Sequence, residues 1–248
     1  MSGESAREPD GRPPPRRHGG ALLFALLFPT LVAWVYFILL ANAPAGLQRV
    51  VYAVGKVIQF AFPVYWVWRV ERRRIIRPFS ARGTGIGIAT GAVVVATMFA
   101  LYFLWLQPST VFQLAGDRIR TRIASIGIDS RTSFAAVGLF YVLMHSGFEE
   151  YYWRWFVFRG LRERFGFLGS TLVSSLGFMS HHVLVLGLYF GALSPATALF
   201  SAAVAIGGAI WAWVYEKCDS LVGPWISHAL VDAGIFIVGY DIAREVLE

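Results

Sequence analysis

The 248-residue chain is punctuated by apolar runs of a length that very few structures can use. They cover about Ala21–Leu40, Val50–Val70, Gly85–Leu106, Ser133–Gly160, Leu168–Phe190, Ala196–Tyr215 and Pro224–Tyr240. About 20 apolar residues wound as a helix rise ~30 Å, the thickness of a bilayer's hydrocarbon layer. In that layer a backbone must satisfy its own hydrogen bonds, which a helix does within one segment. A spanning barrel would need apolar and polar residues alternating over ~10-residue segments, and no such alternation is present. The pattern predicts an all-α polytopic transmembrane helical bundle with about seven spanning helices. Composition agrees: 56% of residues are hydrophobic and 15% charged, against about 45–50% and about 25% in soluble domains. The first run ends at "ANA" (Ala41–Ala43), which resembles a signal-peptidase site. It is longer than the ~7–15-residue core of a secretory signal, so it is read as a span.

The net charge is +7, but the basic residues stand beside the apolar runs. That placement points to orientation in a membrane and away from nucleic acid as a partner. Arg7, Arg12, Arg16 and Arg17 precede the first run, and Arg69, Arg72, Arg73, Arg74, Arg77 and Arg82 follow the second. Arg159, Arg162 and Arg164 follow the fourth, and Lys217 the sixth. With seven spans these four groups share one side, which predicts an integral protein of a bacterial inner membrane with its N-terminus in the cytoplasm. Residues 108–132 break the pattern with Arg118, Arg120, Arg122 and Arg131 on the other side. There Phe112, Ala115, Ile119, Ile123 and Ile126 recur at helical spacing. This suits an amphipathic helix on the membrane surface or a solvated loop helix.

Three regions follow: a polar, Pro- and Gly-rich tail over 1–19, expected to be disordered; N-terminal membrane helices with the amphipathic segment over 20–132; and a C-terminal helical core over 133–248. The one cysteine, Cys218, excludes an internal disulfide and argues against a cysteine metal site.

Ionisable side chains within spans cost at least a few kcal/mol and mark functional sites by default. The first two spans hold almost none beyond Lys56, whose long stem suits snorkelling. The fourth holds His145, Glu149, Glu150 and Arg154 within and around "GFEEYYWRWF"; the fifth holds His181 and His182; the seventh holds Ser227, His228 and Asp232. Glu150 and Arg154 are four apart and can pair on one helix face. Glu149 lies ~100° round the helix from Glu150, on the side of His145, so one arginine cannot serve both carboxylates. His228 and Asp232 are also four apart, and the aspartate could orient the imidazole.

A carboxylate and two histidines from three helices can hold Zn²⁺ with an open water position. They can equally activate water without metal, through a glutamate base and an oxyanion-stabilising histidine. A proton- or ion-conducting relay built from the same residues is the alternative of another class, and it would string polar residues along the membrane depth.

Order and spacing resemble the CAAX-protease and bacteriocin-processing (CPBP, or Abi) family of intramembrane endopeptidases. Its three motifs read EExxxR, FxxxH and HxxxN, the last position sometimes being another residue. Here they stand as "EEYYWR" (Glu149–Arg154), "FMSHH" (Phe178–His182) and "HALVD" (His228–Asp232), across about residues 133–240. "SLVGPWISHALVD" also resembles the family's approach to its third motif. The resemblance implies a peptidase in which Glu149 activates water with the help of His182. It places His228 and Asp232 on the oxyanion side, with Glu150 and Arg154 as the supporting part of the first motif. Older descriptions of the family as metalloproteases would make Glu149, His182 and His228 the ligands of a Zn²⁺; a glutamate-type enzyme needs no cofactor. Implied partners are membrane lipids and a membrane-associated or lipidated peptide or protein. Two departures stand out: Asp232 replaces the usual Asn, and an ionised Asp cannot donate a hydrogen bond; and His181 adjoins His182. The site is expected toward the cytoplasmic side, because Glu149 is ten residues, ~15 Å, from Arg159.

Overall fold

The computed structural model describes residues 18–72, 80–125 and 127–247. Residues 1–17 of the expected tail, Arg73, Arg74 and Arg77 of the second loop, and Ile126 of the amphipathic pattern lie outside the described residues. The described chain is helical without strands. Its first three long segments are α1 (His18–Trp34), α2 (Ala45–Tyr65) and α3 (Thr84–Leu101), each ending in a turn of π-helix: Val35–Leu39, Trp66–Val70 and Tyr102–Leu106. Then come α4 (Thr110–Ser125), α5 (Arg131–Phe140), a π segment (Tyr141–His145), α6 (Ser146–Glu150) and a longer π segment (Tyr151–Phe158). The chain closes with α7 (Arg159–Phe190), α8 (Pro195–Cys218) and α9 (Val222–Ala243).

Six continuous helical stretches are long and apolar enough to cross a bilayer, and one of them runs 60 residues from Arg131 to Phe190. That stretch is two antiparallel spans. Gly166 sits at φ 65°, ψ −174° within α7, a conformation that only glycine adopts freely. Beyond it the chain turns back, so that Phe158 meets Phe167 and Trp153 meets Phe178. The result is an all-α polytopic bundle with seven crossings. Its outer surface is apolar (Leu104 is 82% and Leu168 80% exposed), whereas Glu149, Glu150, Arg154 and His228 are buried. That inverts a soluble protein's distribution and fits an integral membrane protein surrounded by lipid.

Because the fourth crossing continues to residue 165, Glu149 falls 18 residues after Arg131 and 17 before Gly166. Glu149 therefore lies near the middle of this helical stretch, which extends past the apolar run through Arg159, Arg162 and Arg164.

Close backbone approach holds α3 against α9. A Cβ on Gly87 would lie 2.3 Å from the Gly223 carbonyl oxygen, and one on Gly91 3.1 Å from the Ser227 Cα. Four-residue spacing of small residues permits this approach, as in membrane helix pairs generally. The contact fixes α9 one residue from His228. Gly91→Leu is expected to destabilise the protein by roughly 1–3 kcal/mol through overpacking, read as a lowered melting temperature in detergent.

The amphipathic α4 lies across the ends of other helices. Phe112 packs against Tyr102, Phe190 and Phe200, and Ala115 is buried. Arg118 donates to the Tyr189 carbonyl at 3.0 Å and Arg120 to the Ile242 carbonyl at 3.0 Å. Both carbonyls belong to the last turns of spanning helices, where acceptors lack helical partners and cations are favoured. Two of the four arginines that break the charge pattern, Arg118 and Arg120, are thus engaged in capping α7 and α9, and Arg122 donates to the Tyr36 hydroxyl at 3.2 Å.

Candidate active site

Glu149 and Glu150 end α6, a single α-helical turn between two π segments. π turns are rare and recur at functional sites. Seven residues in succession, Tyr152 to Phe158, are buried, so this strand of the bundle runs through its middle and not along its edge. Tyr152 ties it to α1. Pro29 has no N–H to offer the carbonyl four residues back, and the Tyr152 hydroxyl donates to that orphaned Ala25 oxygen at 2.8 Å.

The pairing expected between Glu150 and Arg154 is present, with Arg154 Nε 3.2 Å from Glu150 Oε2. Arg154 also donates through Nη2 to the Gly208 carbonyl at 3.0 Å. Its guanidinium lies 5.1 Å from the Phe178 ring and 5.3 Å from the Trp211 ring, within cation–π range. Burying such a pair is costly; Arg154 Nη1 has no hydrogen-bond partner among the described residues, so the carboxylate, the Gly208 carbonyl and the two rings are what hold the guanidinium.

Glu150 has a second role that its spacing did not reveal. Its Oε1 accepts a hydrogen bond from His228 Nδ1 at 2.8 Å. The His228 ring stacks on Trp211 with centroids 3.9 Å apart and planes at 14°. Bond and stack together fix the imidazole and turn Nε2 toward Glu149 Oε2, 3.8 Å away, and Asp232 Oδ1, 3.6 Å away. Asp232 therefore joins the cluster, but the Nδ1–H of His228 goes to Glu150.

Around Glu149 stand two more imidazoles. His145 Nδ1 is 3.9 Å from Oε2, its ring stacked on Tyr141. His181 Nε2 is 3.7 Å from Oε1, its ring parallel to Trp153 at 5°. His182 lies beside His181, ring centroids 4.2 Å apart, but its Nδ1 donates 2.9 Å to the Phe178 carbonyl one turn back. On this helix it is His181, not the His182 of the FxxxH spacing, that comes within ion-pair distance of Glu149. Among the described residues no group of three or more His, Cys, Asp or Glu side chains is arranged to hold a metal ion.

The cluster thus joins Glu149, Glu150, Arg154, His228 and Asp232 from two crossings with His181 from a third. Trp211 was missed in the sequence, where a tryptophan in an apolar span, here beside Trp213, carries no distinguishing signal. Gly87 and Gly91 did carry one, the small-xxx-small spacing of "GIATG" (Gly87–Gly91).

Residues 131–234, somewhat under half of the chain, match the family described as type II CAAX prenyl endopeptidase Rce1-like. This segment is similar to that family. The match spans all three motifs and the whole cluster around Glu149. It agrees with the CPBP resemblance of "EEYYWR", "FMSHH" and "HALVD". The matched segment begins at the fourth crossing, so α1 to α4 lie outside it. No curated protein and no solved structure matches the chain.

Proposed function

We propose that the chain is an intramembrane endopeptidase that hydrolyses a peptide bond near the end of a membrane-associated or lipidated peptide or protein, with Glu149 as the base. The observation that carries this reading is the buried Glu149 carboxylate faced by imidazole nitrogens of His145, His181 and His228 at 3.7–3.9 Å. Those separations exceed a direct hydrogen bond and suit a water bridging carboxylate and imidazole. The family match of the same segment supports hydrolysis; nothing in it favours an ion relay.

In the proposed reaction Glu149 takes a proton from the water as its oxygen bonds the scissile carbonyl carbon. The carbonyl π pair moves onto oxygen, next to the Nε2 edge of His228. That histidine, held by Glu150 through Nδ1, stabilises the oxyanion when Nε2 carries a proton. Asp232, 3.6 Å from the same nitrogen, lines this side and suits a protonated acid, which can donate. The intermediate collapses by breaking the C–N bond, and Glu149 returns its proton to the leaving amine. His181 and His182 line the water's side. If zinc is used, His228 and Glu149 are its candidates, together with a histidine of α7, and the metal would polarise the carbonyl or the water.

For orientation, the ends carrying Arg69, Arg72, Arg82, Arg159, Arg162, Arg164 and Lys217 are assigned to the cytoplasm of a bacterial inner membrane. The opposing arginines Arg118 and Arg120 are accounted for by helix capping. The test is incubation of the purified protein with prenylated peptides and mass-spectrometric detection of cut sites. Cleavage by wild type that disappears in Glu149→Gln supports the reading; equal cleavage by both sinks it. Exhaustive chelation is expected to leave the wild-type rate unchanged. A loss of rate that added Zn²⁺ restores would replace the metal-free mechanism.

A further inference from the structure

A cleft at one end of the bundle is lined largely by helices that precede the matched segment, and no residue of the Glu149 cluster lines it. Gly19, at the start of α1, lies beside Arg164. The far end of α1 therefore belongs to the opposite end of the bundle. There the π turn that closes α1, the start of α2, the amphipathic α4 and the last turn of α7 surround a space of ≈ 500 Å³. Tyr36, Gln48, Arg118, Thr121, Arg122 and Tyr189 supply most of its polar lining.

Arg118 and Arg122 are four apart and project from one face of α4. Each uses one donor within the protein, Arg118 on the Tyr189 carbonyl at 3.0 Å and Arg122 on the Tyr36 hydroxyl at 3.2 Å. Those bonds fix both guanidinium groups and leave further N–H donors on each. The Tyr36 hydroxyl, accepting from Arg122, keeps its own proton to donate. The acid in the lining, Asp117, is engaged by Arg120 at 2.5 Å. Neither Arg118 nor Arg122 has a carboxylate partner among the described residues. Two positioned guanidinium groups without a carboxylate suit an anion with several oxygen acceptors, and their planar forks match phosphate geometry.

The surroundings say where the phosphate comes from. An amphipathic helix laid across the ends of spanning helices stands at the level of the lipid headgroups, and tyrosines such as Tyr36 and Tyr189 are favoured at that level. Ile38, Leu39 and Leu47, chain neighbours of the lining residues, are exposed on the apolar surface. They offer contact to acyl chains that hang from a headgroup in the cleft, which free phosphate would not use. We infer that the cleft binds the phosphodiester of an anionic membrane phospholipid, with Arg118 and Arg122 holding its phosphate. The bound lipid ties the ends of α1 and α2 to α4 and α7. The inference does not depend on the peptidase reading.

The test uses the full chain purified in a neutral detergent. Phosphatidylglycerol, phosphatidylcholine and inorganic phosphate are titrated separately, with bound lipid read by native mass spectrometry and melting followed in parallel. Phosphatidylglycerol is expected to bind saturably and raise the melting temperature, phosphatidylcholine to bind several-fold more weakly, and inorganic phosphate to do neither. The double variant Arg118→Gln/Arg122→Gln is expected to lower the affinity for phosphatidylglycerol by roughly 10- to 100-fold, the range for hydrogen bonds to charged groups. Thr121→Glu keeps both arginines and sets a carboxylate beside them in the cleft. It is expected to weaken binding in the same direction, so the result stands even if the double variant does not fold. Arg131→Gln, which removes a cation outside the lining, is expected to leave the affinity unchanged. Wild-type affinity in Thr121→Glu overturns the inference, as does a loss in Arg131→Gln equal to that in the cleft variants, which would mark unspecific charge attraction. Phosphatidylcholine bound as tightly as phosphatidylglycerol also overturns it. Inorganic phosphate that stabilises wild type and displaces the lipid would make the cleft a site for free phosphate and overturn the lipid assignment.

Discussion

Replacing Glu149 with glutamine is expected to lower peptide cleavage by about 10²–10⁴-fold, the usual contribution of a positioned general base, while thermal stability stays close to wild type. The substitution keeps the side chain's shape and removes its charge and basicity. The surrounding geometry predicts the tolerance. No histidine is within direct hydrogen-bond distance of Glu149, the nearest being His181 at 3.7 Å. Glutamine therefore breaks no short contact. The measurement is the cleavage rate of purified variant and wild type on one prenylated peptide, paired with melting in the same detergent. A variant that melts far below wild type would show Glu149 to be structural. A variant with full activity would remove it from the mechanism.

Arg154→Met is expected to act the other way, primarily on the fold. Methionine retains an apolar stem between Phe178 and Trp211, but Glu150 is left fully buried with its cation gone. Removing one member of a buried pair typically costs about 3–5 kcal/mol, because the other charge stays desolvated. The expected readouts are a sharply lowered melting temperature and reduced yield. The double variant Glu150→Met/Arg154→Met should recover part of that stability, since no unpaired charge remains. It should stay inactive, because the Nδ1–H of His228 has lost the acceptor that orients it. A double variant as unstable as the single would show that the pair's charge is not what matters. One with normal activity would show that His228 needs no carboxylate behind it.

The contrast between the adjacent glutamates measures how far sequence reasoning reaches. Helical spacing separated them correctly: Glu150 pairs with Arg154, and Glu149 does not. Spacing along one helix is a local property, so it survives into the fold. The bond from His228 to Glu150 joins residues 78 apart in the chain, and no local period encodes it. The choice between His181 and His182 depends on the rotation of the fifth crossing relative to the fourth. Packing decides that rotation, with Trp153 lying flat against His181 and Trp211 against His228.

Lys56 teaches the same point from the other half of the chain. Its sequence context suggests only a long cation near an apolar run, free to reach the interface. Tyr52 and Phe60, each four residues away, fold it inward instead. The arginines of α4 looked like an anomaly in the charge pattern until Arg118 and Arg120 met helix-end carbonyls.

By itself the sequence determined the all-α membrane class, the positions of the crossings and the three polar motifs. Hydropathy, length and i to i+4 spacing are carried by contiguous residues, and the bilayer leaves a helix no alternative to satisfying its own backbone. Only the tertiary structure decided the carboxylate that holds His228 and the direction in which Lys56 points. Those follow from how Gly87 and Gly91 let α3 approach α9, from the reversal at Gly166 and from the π turns around Glu149, which set the register between helices far apart in the chain.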